Sequence, residues 1–469
     1  MPWFVSPRNN TTKIFISTNT YYYLMNPNTT KPVTDNKIGY NILRWFVNLH
    51  IRTNYKFHVI DAAKADNSCP TLFVGNHSNS AVDPLIILFS LQRKVHFIAR
   101  GDVFKGWKAK VFDYFNMIPI FRREEGAENM AKNEESFEYI FAKLNERRSV
   151  TIYSEGNCEQ AMHVRKFRKG TARICAEFEK LNTTQIPLNI QPVGLTYYSW
   201  DKFQSDVYIH YATPFNYSDI DFSTATTDAK RIHVFNAYVE QALKKVVLQI
   251  PETLQPMQFL LDEIICTSPT YTHVTTNKYA LRQRLSQTLY AMPPINLLSL
   301  TTALTNYNNA LTTHKLNHTN TLPTYKGYSW GNAVLLLLTL PVFVIGASIN
   351  AVVFLVPSHI AKNKIKVVEF KASVRIILAF FISVIYFSLL IVTATILYNW
   401  IVGALVFPLS YCLGLMAYEW YKLFLKLTAR YKWLGLVKGN NQEYITLLSA
   451  KQVIINELDK SFTQLFCGK

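Results

Sequence analysis

Short apolar runs alternate with longer amphipathic stretches between residues 55 and 217. The runs predict six strands, at residues 57–60, 71–74, 96–99, 150–153, 190–195 and 207–211. Helical spacing predicts helices at residues 84–91, 107–115, 129–145, 170–181 and 230–248. Such alternation is typical of a mixed sheet covered by helices. The pattern therefore predicts an α/β domain, which we place at residues 56–250.

The regions beside this domain are less regular. Residues 1–36 are rich in Thr, Asn and Tyr without a period, so we expect a poorly organised segment. Residues 37–55 combine apolar positions at helical spacing with basic ones, which is typical of a helix at a lipid surface. A helix packed on the protein's own core explains that pattern equally well. Residues 251–330 mix helical stretches with Thr- and Asn-rich turns and indicate no role.

The C-terminal third contains long stretches without a charged residue. Residues 333–357 and 376–418 have none over 25 and 43 positions. Since a crossing takes ~20 apolar residues, the first stretch predicts one transmembrane helix and the second predicts two. We assign residues 331–420 to the membrane and residues 421–469 to a basic cytoplasmic tail.

Basic residues predict the orientation of these segments. The loop before the second stretch carries Lys362, Lys364, Lys366, Lys371 and Arg375, and the tail carries Lys422, Lys426, Arg430, Lys432 and Lys438. An excess of Lys and Arg marks cytoplasmic segments. We expect an integral membrane protein whose α/β domain faces the cytoplasm. Residues 333–357 then fit only if they do not cross once, for example as a re-entrant pair broken at Pro341 and Gly346.

The composition favours a membrane over nucleic acid as a partner. Lys and Arg outnumber Asp and Glu by 49 to 31, yet 49% of the residues are hydrophobic. Basic residues joined to very apolar segments are typical of contact with anionic lipid or a phosphate-bearing substrate. The six cysteines lie far apart, so they indicate neither a zinc site nor a disulfide framework.

One pair of side chains between two apolar runs suggests chemistry. His77 and Asp83 stand six residues apart, and Asp83-Pro84 is typical of a helix N-cap followed by the first helical residue. A carboxylate bonded to one imidazole nitrogen leaves the other free to take a proton, as a general base for an alcohol requires. A loop histidine and an ordinary helix cap would give the same pattern.

Three further segments carry groups suited to a phosphate near an activated hydroxyl. They supply Arg122, Glu155 with Gly156, and Arg168 with Lys169. Arginine binds phosphate in a bidentate manner, and the free amides of a helix N-terminus attract anions. Polar groups after a strand lie where α/β domains bind substrates.

Together these segments resemble the glycerol-phosphate acyltransferases, membrane enzymes that acylate glycerol 3-phosphate or lysophosphatidate. Four blocks match in order, at residues 77–83, 118–122, 153–156 and 191–195, and a basic turn matches at 168–170. The resemblance covers about residues 55–217 and implies a glycerolphosphate acyltransferase-like fold. In some positions the chain departs from the family.

The departures concern the first, third and fourth blocks. Five residues separate His77 from Asp83 where four are usual, Ser154 replaces a usual Pro, and Asn157-Cys158 replaces a usual Thr-Arg. The fourth block lacks its final Pro. Arg165, Arg168 or Lys169 would then supply the arginine missing from the third block.

The resemblance implies a mechanism in which His77 takes the proton of a glycerol hydroxyl while Asp83 orients the ring. Arg122, with Arg168 or Lys169, would hold the phosphate, and Glu155 with Gly156 would position the glycerol. Coenzyme A or acyl carrier protein would carry the acyl thioester co-substrate, and no metal or other cofactor is implied. The expected partners are membrane lipids, the thioester donor and the glycerol-phosphate acceptor, and not nucleic acid.

Other interpretations remain open at this point. The acceptor could be another lysophospholipid, and the protein could be a non-catalytic lipid-binding membrane protein. A metal-dependent phosphatase would use His77 and Asp83 as ligands but needs more ligands, and of these blocks only Glu155 offers one. Cys158 lies near His163, but a small residue without a chemical role is the simpler explanation.

Overall fold

The computed structural model describes residues 38–65, 69–91, 95–104, 106, 112, 115–121, 127–182, 186–268, 277–322, 330–439 and 442–466. Three predictions lie outside the described residues: the segment 1–36, most of the helix at 107–115, and Arg122.

A mixed sheet forms the centre of the α/β part. The elements in chain order are α1 (Ile38–Asn54), β1 (Tyr55–Ile60), β2 (Thr71–Gly75), α2 (Val82–Ser90), β3 (Val95–Arg100), β4 (Met117–Ile120), α3 (Ala127–Asn145), β5 (Ser149–Tyr153), α4 (Gly170–Leu181), β6 (Asn189–Tyr197), β7 (Ser205–Tyr211) and α5 (Asp228–Lys244). In the part of the chain that the structure describes, seven strands form one sheet in the order β1-β7-β6-β2-β5-β3-β4. Neighbouring strands are parallel except β6 and β7. The predicted α/β class with a mixed sheet is confirmed.

All six predicted strands form, and β4 is an addition. The sequence analysis predicted no strand at this position, where the apolar run is four residues long and contains Pro119. β4 pairs with β3 alone and ends the strand order. Proline is tolerated there because an edge strand needs fewer backbone donors.

Helices cover both faces of the sheet. On β2, Leu72 and Val74 join a buried cluster with α3, α4 and α5, whereas Phe73 joins a second cluster with α1 and α2. Alternate side chains of a strand point to opposite faces, so these three apolar residues supply both layers. Burial on both faces explains why the central strands are apolar throughout instead of alternating.

The described residues after α5 are mostly helical. Their helices are α6 (Gln258–Thr267), α7 (Lys278–Ala291), α8 (Pro294–Thr313), α9 (Trp330–Lys364), α10 (Val368–Leu397), α11 (Trp400–Lys438) and α12 (Gln442–Phe466). Leu261, Leu285 and Leu304 pack in one cluster with Leu447 and Ile454 of α12. The region at 251–330, whose role the sequence left open, therefore shares a core with the C-terminal tail.

Within the described ranges, three helices, α9, α10 and α11, are long and apolar enough to cross a membrane. The predicted pair of helices within residues 376–418 is confirmed, with the break at Tyr398 and Asn399. The break expected at Pro341 and Gly346 is wrong, because α9 is continuous. A Cβ at Gly346 would lie 2.3 Å from the carbonyl oxygen of Leu413, so this glycine allows α9 and α11 to pack closely.

Candidate active site

The candidate site lies at the carboxyl ends of two parallel strands. β2 ends at Gly75 and β5 ends at Tyr153, and the two strands are hydrogen-bonded neighbours. His77 and Glu155 each follow their strand by two residues. This edge of an α/β sheet is where polar substrate groups are usually bound.

His77 and Asp83 form the pair that the sequence predicted. His77 Nδ1 lies 2.8 Å from Asp83 Oδ2, and the Asp83 side chain is fully buried whereas His77 is 20% exposed. Asp83 is not the helix N-cap, because α2 begins at Val82. The Asp83 carboxylate instead turns back and accepts hydrogen bonds from the backbone amides of Ser78 and Asn79, both at 2.8 Å. The turn thus holds the carboxylate against the imidazole.

Two tyrosines to which the sequence analysis assigned no role contact the His77–Asp83 pair. The Tyr197 hydroxyl, near the end of β6, donates a hydrogen bond to Asp83 Oδ1. The Tyr153 ring stacks on the His77 ring with the centroids 4.2 Å apart. Burial raises the pKa of both phenols, and the charge of Asp83 raises it further. Both tyrosines are therefore neutral, and Tyr197 is able to donate.

Glu155 is buried, and its carboxylate hydrogen-bonds to residues of the protein around His77. Its Oε2 accepts hydrogen bonds from the His77 amide at 3.0 Å and from Arg165 Nη2 at 2.6 Å, and its Oε1 accepts one from the Arg165 amide at 3.0 Å. Burial raises the pKa of the Glu155 carboxyl, while the Arg165 charge opposes that shift. With both oxygens engaged inside the protein, Glu155 positions the His77 backbone.

Arg165 hydrogen-bonds to both His77 and Glu155. Its Nη2 also donates to the carbonyl oxygens of His77, at 3.1 Å, and Asn157, at 2.6 Å. The guanidinium is therefore occupied by contacts within the protein. Of the three residues suggested to replace the arginine missing from the third block, Arg165 is the one that hydrogen-bonds to Glu155 and to the His77 backbone.

Arg168 and Lys169 remain exposed at the start of α4. Gly156 has a φ of +79°, and a Cβ there would lie 2.7 Å from Arg168 Cγ. The glycine therefore permits the turn and also the close approach of the Arg168 side chain. The structure thus brings Gly156 and Arg168 together beside Glu155, with Lys169 next in the chain.

The fourth sequence block has a structural part in the site. The Asn76 side chain exchanges hydrogen bonds with the backbone of Leu195, at 2.8 and 2.9 Å, which fixes the turn after β2 to β6. A Cβ at Gly194 would lie 2.1 Å from the Val246 carbonyl oxygen, so the backbone after α5 packs directly on this strand.

Cys158 lies beside the His77–Asp83 pair. Its Sγ accepts a hydrogen bond from the Ser80 amide at 2.9 Å, while His163 Nδ1 lies 3.0 Å from Gln255 Nε2. Ligand atoms of His77, Asp83 and Cys158 lie within 4.8 Å of one another, which is a spacing that could hold a metal ion. Burial and the charge of Asp83 raise the pKa of the Cys158 thiol. A raised pKa opposes the thiolate that a metal site or a nucleophile requires.

Comparisons with known proteins bear on this site. Residues 56–196 match the family model described as Acyltransferase. Among solved structures the chain is similar to the 1-acyl-sn-glycerophosphate (LPA) acyltransferase, PlsC, from Thermotoga maritima, with 16% identity and a TM-score of 0.31. That likeness covers 44% of this chain and 76% of that chain. No curated protein matches the chain in sequence.

Proposed function

We propose that this chain, which carries an acyltransferase domain at residues 56–196 as its motifs predicted, is an acyltransferase of phospholipid biosynthesis. The proposed reaction transfers a fatty acyl group from an acyl thioester to a hydroxyl of glycerol 3-phosphate or 1-acylglycerol 3-phosphate. The family match confirms the predicted family and enzyme class. The observation that carries the proposed reaction is the partly exposed His77, bonded to the buried Asp83 within that domain.

In the proposed reaction His77 is the general base. Its Nδ1 donates to Asp83, so Nε2 is left to accept the proton of the acceptor hydroxyl. The hydroxyl oxygen then bonds to the thioester carbonyl carbon, the carbon–sulfur bond breaks, and the imidazolium returns its proton to the leaving thiolate. Asp83 stabilises the imidazolium, and the Tyr197 hydrogen bond holds the carboxylate in place. No acyl-enzyme is required.

The proposed phosphate contacts are the exposed cations Arg168 and Lys169. Arg122 stays a prediction with the same role. Gly156 contributes by admitting Arg168, and Glu155 contributes through the backbone of His77 instead of through the glycerol. The proposed reaction uses no metal or other cofactor, so we expect transfer to continue in the presence of a chelator.

We also propose that the α/β domain faces the cytoplasm and that only α10 and α11 cross the membrane. The start of α10 contacts the α/β part through Gln160, whose Nε2 donates to the Val368 carbonyl at 3.3 Å. Near the end of α11, Arg430 donates to the Leu322 carbonyl at 3.1 Å. These two contacts support an arrangement in which both ends of the pair lie on the same side of the membrane as the catalytic part.

The ends of α9 support the same arrangement. Leu322 lies eight residues before Trp330, and Lys364 lies four residues before Val368, so both ends of α9 are close in the chain to these contacts. We therefore propose that α9 does not cross the membrane and that both of its ends lie on the side of the α/β domain. Membrane-impermeant maleimide should label a cysteine placed at Lys366 only from the side of the membrane that carries His77. A cysteine placed at Asn399 should be labelled only from the other side of the membrane. Labelling of both cysteines from the same side would contradict the arrangement.

Acyl transfer by the purified protein in lipid micelles tests the proposed reaction. Labelled palmitoyl-coenzyme A is supplied with glycerol 3-phosphate or, separately, with 1-acylglycerol 3-phosphate. We expect labelled product from at least one acceptor and no loss of rate with chelator. If folded protein gives no product from either, the proposal fails, and other lysophospholipids are the next acceptors to test. Loss of activity with chelator would favour metal-dependent chemistry.

A further inference from the structure

A cavity of about 780 Å³ lies between α1 and the three long apolar helices. Apolar side chains form most of its wall, among them Phe46 of α1, Phe354 of α9, Phe387 of α10, and Phe407 and Leu415 of α11. This volume lies in the range of small-molecule sites, which are mostly apolar with a few placed polar groups. α1 is held against the bundle by hydrogen bonds, including one of 2.9 Å between Thr53 and Tyr411.

Arg375 is the one charged side chain among the described residues that line this cavity. One of its terminal nitrogens, Nη1, donates to the carbonyl oxygen of Asp201. The other, Nη2, is buried and has no hydrogen-bond partner within the described part of the chain. A buried guanidinium nitrogen without a partner is costly, so the site suits an anion that would accept from it.

The cavity adjoins the catalytic turn. One helical turn includes both Arg375 and Ser373, and Ser373 Oγ donates to the backbone carbonyl of Asn79 at 3.3 Å. Asn79 donates its own amide to Asp83 and lies two residues after His77. The first turns of α10 thus connect the charged end of the cavity to the turn that carries the proposed base.

We propose that this cavity is a loading site for an anionic single-chain glycerophospholipid, with the acyl chain among the helices and the phosphate at Arg375. The inference rests on the proposed function and selects 1-acylglycerol 3-phosphate over glycerol 3-phosphate as the acceptor. Glycerol 3-phosphate has no chain to fill an apolar cavity, and the thioester end of an acyl donor is neutral. Arg375 binds the phosphate as the lipid arrives from the bilayer, and Arg168 with Lys169 hold it during transfer.

Direct binding separates this inference from the reaction itself. The His77→Ala protein is purified in detergent, and binding of labelled 1-palmitoylglycerol 3-phosphate is measured by equilibrium dialysis. Adding Arg375→Gln should weaken binding at least about tenfold, since a hydrogen bond to a charged group is lost. Lys371→Gln removes the same charge one turn earlier, outside the cavity wall, and should leave binding within about twofold. Ala379→Phe, which fills the cavity without changing charge, should also weaken binding.

Steady-state kinetics show whether Arg375 acts on binding of the lysolipid or on the chemical step. In active protein, Arg375→Gln should raise KM for the lysolipid while kcat stays within about twofold, and KM for palmitoyl-coenzyme A should not change. Equal effects of Arg375→Gln and Lys371→Gln, or unchanged binding in Ala379→Phe, would overturn the inference. If Ala379→Phe weakens the binding of palmitoyl-coenzyme A and not that of the lysolipid, the cavity holds the acyl chain of the donor and the inference is wrong. Lipid binding without any transfer would instead count against the proposed function alone.

Discussion

At the scale of single residues, the candidate site depends on local and distant contacts. His77 and Asp83 are six residues apart, so a turn brings them together, and the sequence predicted this pair. Tyr197 is 114 residues from Asp83, and the Arg165 contact with the His77 carbonyl spans 88 residues. Those contacts were missed because they depend on how β2, β5 and β6 pair, which no local spacing reveals.

Replacing Asp83 by Asn tests the carboxylate of the pair. Asn keeps the size of the side chain but cannot stabilise the imidazolium, so kcat should fall by about 10² to 10⁴, the range for loss of general-base function. Initial rates of acyl transfer measure this effect. Asp206→Asn is a matched control, because Asp206 forms an exposed pair with His58 at 2.6 Å. Equal loss of activity in both variants would refute a special role for Asp83.

Replacing Arg165 by Met tests the buried pair with Glu155. The Glu155 carboxylate would stay buried without its counter-charge, so the free energy of unfolding should fall by roughly 3–5 kcal/mol. Denaturant unfolding measures it. The double variant with Glu155→Gln should recover part of that loss because no unpaired charge remains. Additive losses in the double variant would show that the two side chains are not coupled.

At the scale of elements, strands with apolar runs of ordinary length were predictable from the sequence. A very short strand and a continuous helix that contains proline were not. β1 to β3 and β5 to β7 appeared as apolar runs because they are central or long. β4 was missed because it is four residues long and its stability comes from pairing with β3. α9 continues through Pro341 because its packing on α11 supports the helix, which sequence alone does not show.

The turn after β5 gives a prediction at this scale. Gly156→Ala introduces a Cβ where φ is +79° and where Arg168 Cγ would be 2.7 Å away, so the Arg168 side chain has to move. We expect KM for the phosphate-bearing acceptor to rise severalfold, with an added loss of stability of about 1 kcal/mol from backbone strain. Gly435→Ala, where a Cβ meets open space, is the control. An unchanged KM would remove Arg168 from the proposed phosphate site.

At the scale of the whole molecule, the sequence predicted the parts but not how they combine. The α/β class, the family and the apolar C-terminal helices followed from patterns along the chain. The cavity did not, because it needs α1 to pack on helices more than three hundred residues away, as in the contact of His50 with Ile376. Arg375 was counted only as a loop charge for the same reason.

The helical part gives the whole molecule a sensitivity to acid. Burial lowers the pKa of His318 from its ordinary value near 6.5 to about 3, and its ring bonds to Tyr307 and Thr267. The unfolded chain binds this proton more readily than the folded one, so stability falls as the pH drops from 6.5 towards 3, by up to about 1.4 kcal/mol per unit.

Thermal unfolding in detergent between pH 7.5 and 5 measures this dependence. His318→Gln should flatten the loss of stability below pH 6.5, whereas His58→Gln, at an exposed position, should leave the slope as it is. If stability depends on pH in the same way in the original protein, His318→Gln and His58→Gln, His318 is not the cause of the acid sensitivity.

The proton transfer by His77 is the central claim, and one comparison tests it most directly. Release of free coenzyme A from palmitoyl-coenzyme A is followed with the lysolipid acceptor, for the original protein and for His77→Ala at matched thermal stability. We predict release that depends on acceptor in the original protein and a rate at least about 100-fold lower in the variant. Comparable acceptor-dependent rates in the two proteins would contradict the assignment of His77 as the base.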